Sequence, residues 1–548
     1  MDEPTLDPIA TEDFIDAPAP SSPRIGSSTT RALATAGLIV TVASLASRFL
    51  GFARYIAIGR AVPDPASLDA FNAAFRIPDF LFQLVAAGAL ASALVPVLAG
   101  LFAKDEDDHA WRVLSTVTTL IVGALFVLVV LAEVAAEPLV AFITPGFTGA
   151  TLATTVDLTR IMLLSPMFMA GGAIASAALN ARGRFAAASV APLVYNLGII
   201  GGAVFLAPSM GVAGLAVGVV VGALGHLVVQ VPGMVGIGAR VRPAVDLGDP
   251  PTRKALLLMG PRALGLGATQ VVFLVTTALA THLPEGSLTA FYFAFALLQI
   301  PIGVIGVPLG TVLLPSLSRE AATGDTAAFQ RLLVRGLSLL AYLMLGIAAI
   351  GIPVATDVVR EAYGLSHLDV EVMGWISLAL AVFMVGLPAH SLIAVLARAF
   401  YALQDTVTPV VAGIAAVAVN IVLGVLLVGP LGLTGLAIAI AAGAWLETIA
   451  LVVLLGRRLP GLGLREVWVV MGKSLVAAVP GALVAWGVTV ALVGLWGTNA
   501  GFLITLVRLV AATAAGGAVM LGFSLALRIE EPRRILGIVL DLARRRGR

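Results

Sequence analysis

Cysteine is absent from all 548 residues of the chain, which excludes disulfides, thiolate metal sites and cysteine nucleophiles. Histidine is nearly absent as well: five occur, scattered along the sequence, so no metal centre is expected. Charge is scarce, with 12% Asp, Glu, Lys and Arg against about 25% in soluble domains. Signature motifs are missing too. There is no GxxxxGK[ST] phosphate loop, no HExxH pair and no GxSxG elbow. An ATP-driven pump is not indicated, a carrier is favoured over an enzyme, and neither a cofactor nor a nucleic-acid partner is expected.

What the chain does have is apolar surface. At 59% hydrophobic residues, no soluble fold could bury it, so the sequence specifies an all-α polytopic membrane protein. Apolar runs long enough to cross a bilayer recur from 33–59 to 500–527 and number fourteen. The 58 glycines fit close packing between such helices. Residues 1–30 differ: they are acidic and rich in Pro and Ser, lack a signal-peptide pattern, and read as a disordered cytoplasmic tail.

Lys and Arg gather in alternate loops, at Lys104 and Arg112, Arg182 and Arg184, Arg240 to Lys254, Arg319 to Arg335, and Arg457 to Lys473. By the positive-inside rule both termini are cytoplasmic in a multi-pass inner membrane protein. The C-terminal segment 530–548 is basic and amphipathic, suited to the anionic lipids of the inner leaflet.

A repeat organises the spans. An offset of 221 residues aligns GVAGLAVG (211–218) with GLTGLAIA (432–439), and one of 220 aligns AFNAAFRI (70–77) with AFYFAFAL (290–297). The offset corresponds to six spans, an even number, so the repeat is parallel. The expected architecture is an N-lobe over 31–240, a C-lobe over 241–457 and two further helices over 458–529. These two parallel six-helix lobes plus two C-terminal helices surround a central cavity.

The stretch SRFLGFARYIAIGR (47–60) places Arg48, Arg54 and Arg60 in a segment apolar enough to enter the bilayer. An arginine at the middle of a membrane helix costs roughly 3 kcal/mol on insertion scales, so such residues face a partner, a cavity or water. Steps of six residues turn about 240°, so the three cannot share one face of a straight helix. Gly51 offers a bend between the first two, and Arg60 sits near an end where it can reach water. Arg160 is expected to pair with Asp157 at i, i+3.

SRFLGFAR, LDAFNAAFRIPDFL (68–81), LMGPRALG (258–265), PIGVIGVPLGTVLLPSLSR (301–319) and ARAFYALQDTVTPV (397–410) resemble motifs of the MurJ/MviN family. ALNARGRF (178–185) and APLVYNLG (191–198) are similar as well. That family belongs to the multidrug/oligosaccharidyl-lipid/polysaccharide exporter superfamily, with paired six-helix lobes forming a V-shaped cavity. The resemblance implies a flippase for lipid II, the polyprenyl-pyrophosphate precursor of peptidoglycan, in the bacterial cytoplasmic membrane. It implies cavity roles for Arg48 and Arg54, with Asp69 as the acid that follows the first helix. Guanidinium groups suit phosphate oxygens through paired charge-assisted hydrogen bonds.

The family pattern is not complete here. Phe82 occupies the helix-two arginine position, Ala296 the helix-eight arginine position, and Phe295 that of the adjacent acid. Arg76, less than two turns before Phe82, Arg262 and Arg398 are the candidate replacements, and Gln299 offers a neutral hydrogen bond. The expected partners are a lipid-linked glycan, membrane lipids and cell-wall synthesis proteins. The alternatives are a flippase for another polyprenyl-linked glycan, a non-transporting cell-wall scaffold, and a drug or cation antiporter.

Overall fold

The computed structural model describes residues 27–84, 89–498 and 501–534, which are helical almost throughout, with no strand among the described residues. The first half runs α1 (Ser27–Ala61), α2 (Pro65–Ala74), α3 (Arg76–Phe82), α4 (Ala89–Phe102), α5 (Asp107–Val134), α6 (Ala136–Ile143), α7 (Gly149–Met162), α8 (Ser165–Ala181), α9 (Phe185–Gly201), α10 (Ala207–Met210), α11 (Val212–Val228) and α12 (Val231–Gly236). The second half runs α13 (Pro250–Ala280), α14 (Ser287–Pro301), α15 (Val307–Thr323), α16 (Thr326–Gly351), α17 (Ala355–Tyr363), α18 (Val370–Ala402) and α19 (Val407–Arg458). Then come α20 (Leu464–Trp496) and α21 (Phe502–Ala526). Ten helices among the described residues are long and apolar enough to cross a membrane. One of them, α19, has 52 residues and breaks at Gly432, and its halves fold against each other, with Gly443 beside Asn420 and Ala416. α1 begins at Ser27, inside the segment read as a tail; residues 1–26, and most of the basic 530–548 segment, lie outside the described residues.

Local sequence explains the helix boundaries. Asp64 and Asp249 cap α2 and α13 by accepting from Ser67 N and Thr252 N, and a proline follows each cap. Close helix pairs are built on glycine: a Cβ on Gly202 (α9 side) would stand 2.6 Å from Gly218 Cα on α11. The α20–α21 hairpin uses Gly481 against Gly516 in the same way, with the would-be Cβ of each 2.7 Å from the other's carbonyl oxygen.

The 221-residue offset recurs in the backbone. Gly211 has φ 59°, ψ −142° and Gly432 has φ 55°, ψ −134°, a region open to glycine, at the same repeat position. A second correspondence involves the π turn Ile302–Gly306, which follows Pro301 between α14 and α15. Residues 83 and 84, 220 positions earlier, are also in π conformation. π turns mark strained, adaptable points in long helices.

The lobes meet at the end of the bundle carrying residues 62–68, 281–287 and 363–369, here called the latched end. His367 N donates to Gly59 O at 3.1 Å and Gly146 N donates to Thr281 Oγ1 at 3.1 Å, while within the C-lobe Tyr363 Oη donates to Phe293 O at 2.9 Å. At the opposite end the segment between α12 and α13, the only chain connection between the repeats, is fastened to α5. Ser115 Oγ accepts from Arg242 N at 3.1 Å, and Thr119 Oγ1 from Ala244 N at 3.1 Å. His109 bonds Asp249 at 2.7 Å.

Candidate functional site

The lobe interface is held by a carboxylate. Asp69 on α2 is 3% exposed and accepts from Gly286 N at 2.7 Å, Thr289 N at 2.7 Å and Thr289 Oγ1 at 2.6 Å. These donors belong to the free N-terminus of α14, whose own preceding residue, Gly286, supplies no side chain. Asp69 therefore caps a helix of the opposite repeat. Asn72, one turn on, adds a bond from Nδ2 to Thr289 Oγ1 at 3.2 Å. Asp69 and Thr289 are repeat equivalents at the 220 offset, and equivalent positions meet only near the axis relating the lobes. The resemblance implied Asp69 as the acid that follows the first helix; its oxygens are taken by the start of α14.

Below this cap the charges collect. Arg76 opens α3, and its guanidinium lies 4.3 Å from the centre of the Tyr292 ring of α14 and 5.5 Å from that of Phe75. Its Nε donates to Asn72 O at 3.2 Å, and its terminal nitrogens have no partner among the described residues. Tyr292 is fixed by a 2.7 Å bond between its hydroxyl and Thr277 Oγ1. Arg54 on α1 lies 5.1 Å from the Tyr55 ring and makes no hydrogen bond among the described residues. Asp79 lies on α3, one turn beyond Arg76, and is partly buried. Tyr195 lies on α9, which packs on α1. Tyr55 meets Phe293 of α14 edge-on, with 5.1 Å between ring centres, so α1 and α3 bring their arginines to the Tyr292 and Phe293 rings of α14, one directly and one through Tyr55.

The other expected residues are distributed differently. Arg48 is exposed on α1, one and a half turns before Arg54, and its guanidinium lies on Gly303 in the π turn of the C-lobe, a place that any side chain at 303 would occupy. Arg398 stands apart on α18, donating to Ala394 O at 2.6 Å and Thr311 Oγ1 at 3.2 Å. Gln299 is exposed on α14. Arg262 falls within α13, and its side chain lies outside the described residues. Phe295, at the family's acid position, joins an aromatic block with Phe273 (5.4 Å), Phe291 (6.3 Å) and Phe383 (5.7 Å). Arg160 pairs with Glu133 across helices at 3.6 Å and not with Asp157. Asp79, Tyr55, Tyr195 and Tyr292 were not singled out by sequence reasoning. Asp79 shares a helical face with Arg76 at i, i+3, which was the one available signal.

Two lobes related by an internal repeat, with π turns at equivalent points and arginines of the first lobe against α14 of the second, match the paired-lobe fold of multidrug and lipid exporters. Solved structures agree. A lipid II flippase MurJ in an inward closed conformation has a TM-score of 0.74 at 21% identity, over 90% of this chain and 99% of that one. An inward-facing multidrug resistance transporter of the MATE family, from the MOP superfamily, has a TM-score of 0.61 at 16% identity, over 76% and 95%. Sequence comparison then fixes the family. The profile described as lipid II flippase MurJ matches residues 63–507. The lipid II flippase MurJ of Burkholderia cenocepacia is 32% identical over 429 residues, 77% of this chain and 83% of that protein. The probable lipid II flippase MurJ of Vibrio cholerae is 32% identical over 473 residues, 83% and 89%. The chain belongs to the lipid II flippase MurJ family.

Proposed function

We propose that the protein carries lipid II, a polyprenyl-pyrophosphate-linked glycan, from the inner to the outer leaflet of the bacterial cytoplasmic membrane. The observation that carries this reading is the pair of under-bonded arginines, Arg54 and Arg76, lying between lobes joined at one end by Asp69. A pyrophosphate offers acceptors in the planar arrangement that guanidinium donors match. The fourteen spans, the two lobes and the cytoplasmic termini complete the arrangement, with the latched end outward and the α5-bound linker inward. The headgroup enters from the cytoplasmic side and binds Arg54 and Arg76, with Arg48 at the facing C-lobe wall. Release of the Asp69 cap then lets the outer end part, and the site changes sides by alternating access.

The test is the amount of lipid II on the outer face of cells depleted of the protein, rescued by wild type or by Arg54→Ala. Lost exposure restored by wild type alone is the expected result. Unchanged exposure on depletion rejects lipid II as the cargo. Because Phe82 and Ala296 stand where the family carries arginine, the reading to try next is another polyprenyl-linked glycan. Equal rescue by Arg54→Ala would instead favour a scaffold.

A further inference from the structure

We propose that Tyr292 is a positioning residue of the headgroup site, a C-lobe platform that carries Arg76 of the N-lobe by its face and leaves its in-plane donors for a diphosphate. The inference rests on the reading of Arg54 and Arg76 as the headgroup site. The Arg76 guanidinium carbon lies 4.3 Å from the centre of the Tyr292 ring. A planar guanidinium resting on a ring by its face directs its N–H groups outward along its own plane. Of these donors Nε is taken, by Asn72 O at 3.2 Å, and the terminal nitrogens have no partner among the described residues. The ring therefore restrains the cation without occupying the donors that an anion needs.

The platform is itself fixed from the C-lobe side. Tyr292 is 5% exposed, and its hydroxyl lies 2.7 Å from Thr277 Oγ1 on α13. Thr277 gives its one hydroxyl proton to Phe273 O at 2.7 Å, so the tyrosine is the donor in the bond between them. The Phe273 ring stacks beside Tyr292, with 6.3 Å between centres. The contact also continues the strip along which the lobes meet. Asp69 and Asn72 on α2 bond to Thr289, one turn before Tyr292, and Arg76 follows one turn after Asn72. Tyr292 is the repeat equivalent of Asn72 at the 220 offset, so it lies where the axis between the lobes brings matching positions close. A cation from one lobe is thus seated on a ring of the other, and the site is complete only when both lobes contribute.

The experiment is a double-mutant cycle on the full chain in nanodiscs, with farnesyl diphosphate as the probe. Tyr292→Leu is expected to weaken diphosphate binding by about tenfold, the size of a desolvated cation–π contact. In an Arg76→Ala background the same substitution should change affinity by less than about twofold, because the platform has nothing left to carry. Tyr292→Phe, which keeps the ring and loses the tether to Thr277, should fall between wild type and Tyr292→Leu. A general packing defect weakens binding equally in both backgrounds, and that result overturns the platform. If Tyr292→Leu does not yield a monodisperse protein, Thr277→Val takes its place in the cycle, with a loss confined to the Arg76 background expected and the same result overturning. Tyr292→Leu binding as wild type does, while Arg54→Ala and Arg76→Ala still weaken it, overturns the platform and leaves the arginine site standing. Unchanged binding by both arginine variants overturns both.

Discussion

Two sets of intramembrane arginine divide this molecule. Arg508, on α21, is 0% exposed, and two of its nitrogens face both oxygens of Asp357 on α17, with the Nε contact at 2.8 Å. A third nitrogen donates to Gly497 O at 3.1 Å. Arg54 and Arg76 are partly buried against phenol and phenyl rings, and between them they make one hydrogen bond among the described residues. Both sets lie in apolar helices, but Arg508 is fully buried with its nitrogens matched, while Arg54 and Arg76 are partly buried and under-bonded. The closed pair fastens the C-terminal hairpin to the second lobe, helped by Arg360 donating to Thr498 O, whereas the open pair keeps donors for an outside anion.

The sharpest way to break this comparison is to open the closed pair. Asp357→Ala leaves a buried, uncompensated guanidinium, and the expected loss is about 3–5 kcal/mol of stability. Thermal unfolding in detergent, with proteolysis at the α20–α21 hairpin as the local readout, measures it. The double variant Arg508→Met, Asp357→Leu should recover most of the loss, since a well-packed apolar replacement of a buried pair is often neutral. A silent single variant would mean the pair contributes no docking.

Asp69→Ala comes next, because it removes an acceptor shared by three donors but at an interface that must open. The expected cost is roughly 2 kcal/mol, taken from the latched state. Spin labels on cysteines introduced at Ser67 and Glu285 read the separation of the lobes, and the chain's lack of native cysteine makes them the only reactive thiols. A broader, longer distance distribution in the variant is expected. An unchanged distribution would show that the cap stabilises α14 without latching the lobes.

The class of fold was legible because composition leaves no other solution, and the repeat because GVAGLAVG and GLTGLAIA lie 221 residues apart; the shared backbone of Gly211 and Gly432 came only with the structure. Span counting was coarser: α2 and α3 are separate short helices that part at Phe75, and a single 52-residue helix contains a turn. In the site, Arg48 and Arg54 were visible because charge within apolar sequence is conspicuous. Asp69 was visible too, yet its partners are largely backbone N–H groups of α14, which leave no mark in a pattern of side chains. Arg508 and Asp357 lie 151 residues apart, and Glu133 took Arg160 from its nearer neighbour. Pairing across helices depends on which faces meet, and sequence spacing within one helix does not report that.

At the surface the same comparison predicts the smallest effect. His109 Nδ1 lies 3.1 Å from Glu106 Oε2 and Nε2 2.7 Å from Asp249 Oδ1, so a protonated ring clips the linker between the repeats to α5. Hydrogen bonds to Asp249 and then Glu106 raise the His109 pKa above its ordinary 6.5, against a weaker opposing effect of burial. Burial pushes Asp249 up, but the bonds from Thr252 and His109 outweigh it and hold the carboxyl below its usual range, so it stays ionised at pH 6. A raised folded-state value means that the contribution is fully present below the ordinary histidine range and is lost as pH rises through the raised value. The His109 side chain is 29% exposed, so the clip is worth less than about 1 kcal/mol. Hydrogen exchange over residues 240–249, corrected for intrinsic rates, should be slower at pH 6 than at pH 9. His109→Gln should remove that difference while leaving the Ser115 and Thr119 bonds intact. A pH difference that survives the substitution would show that His109 is not its source, and the satisfied-pair argument would then stop at the membrane boundary.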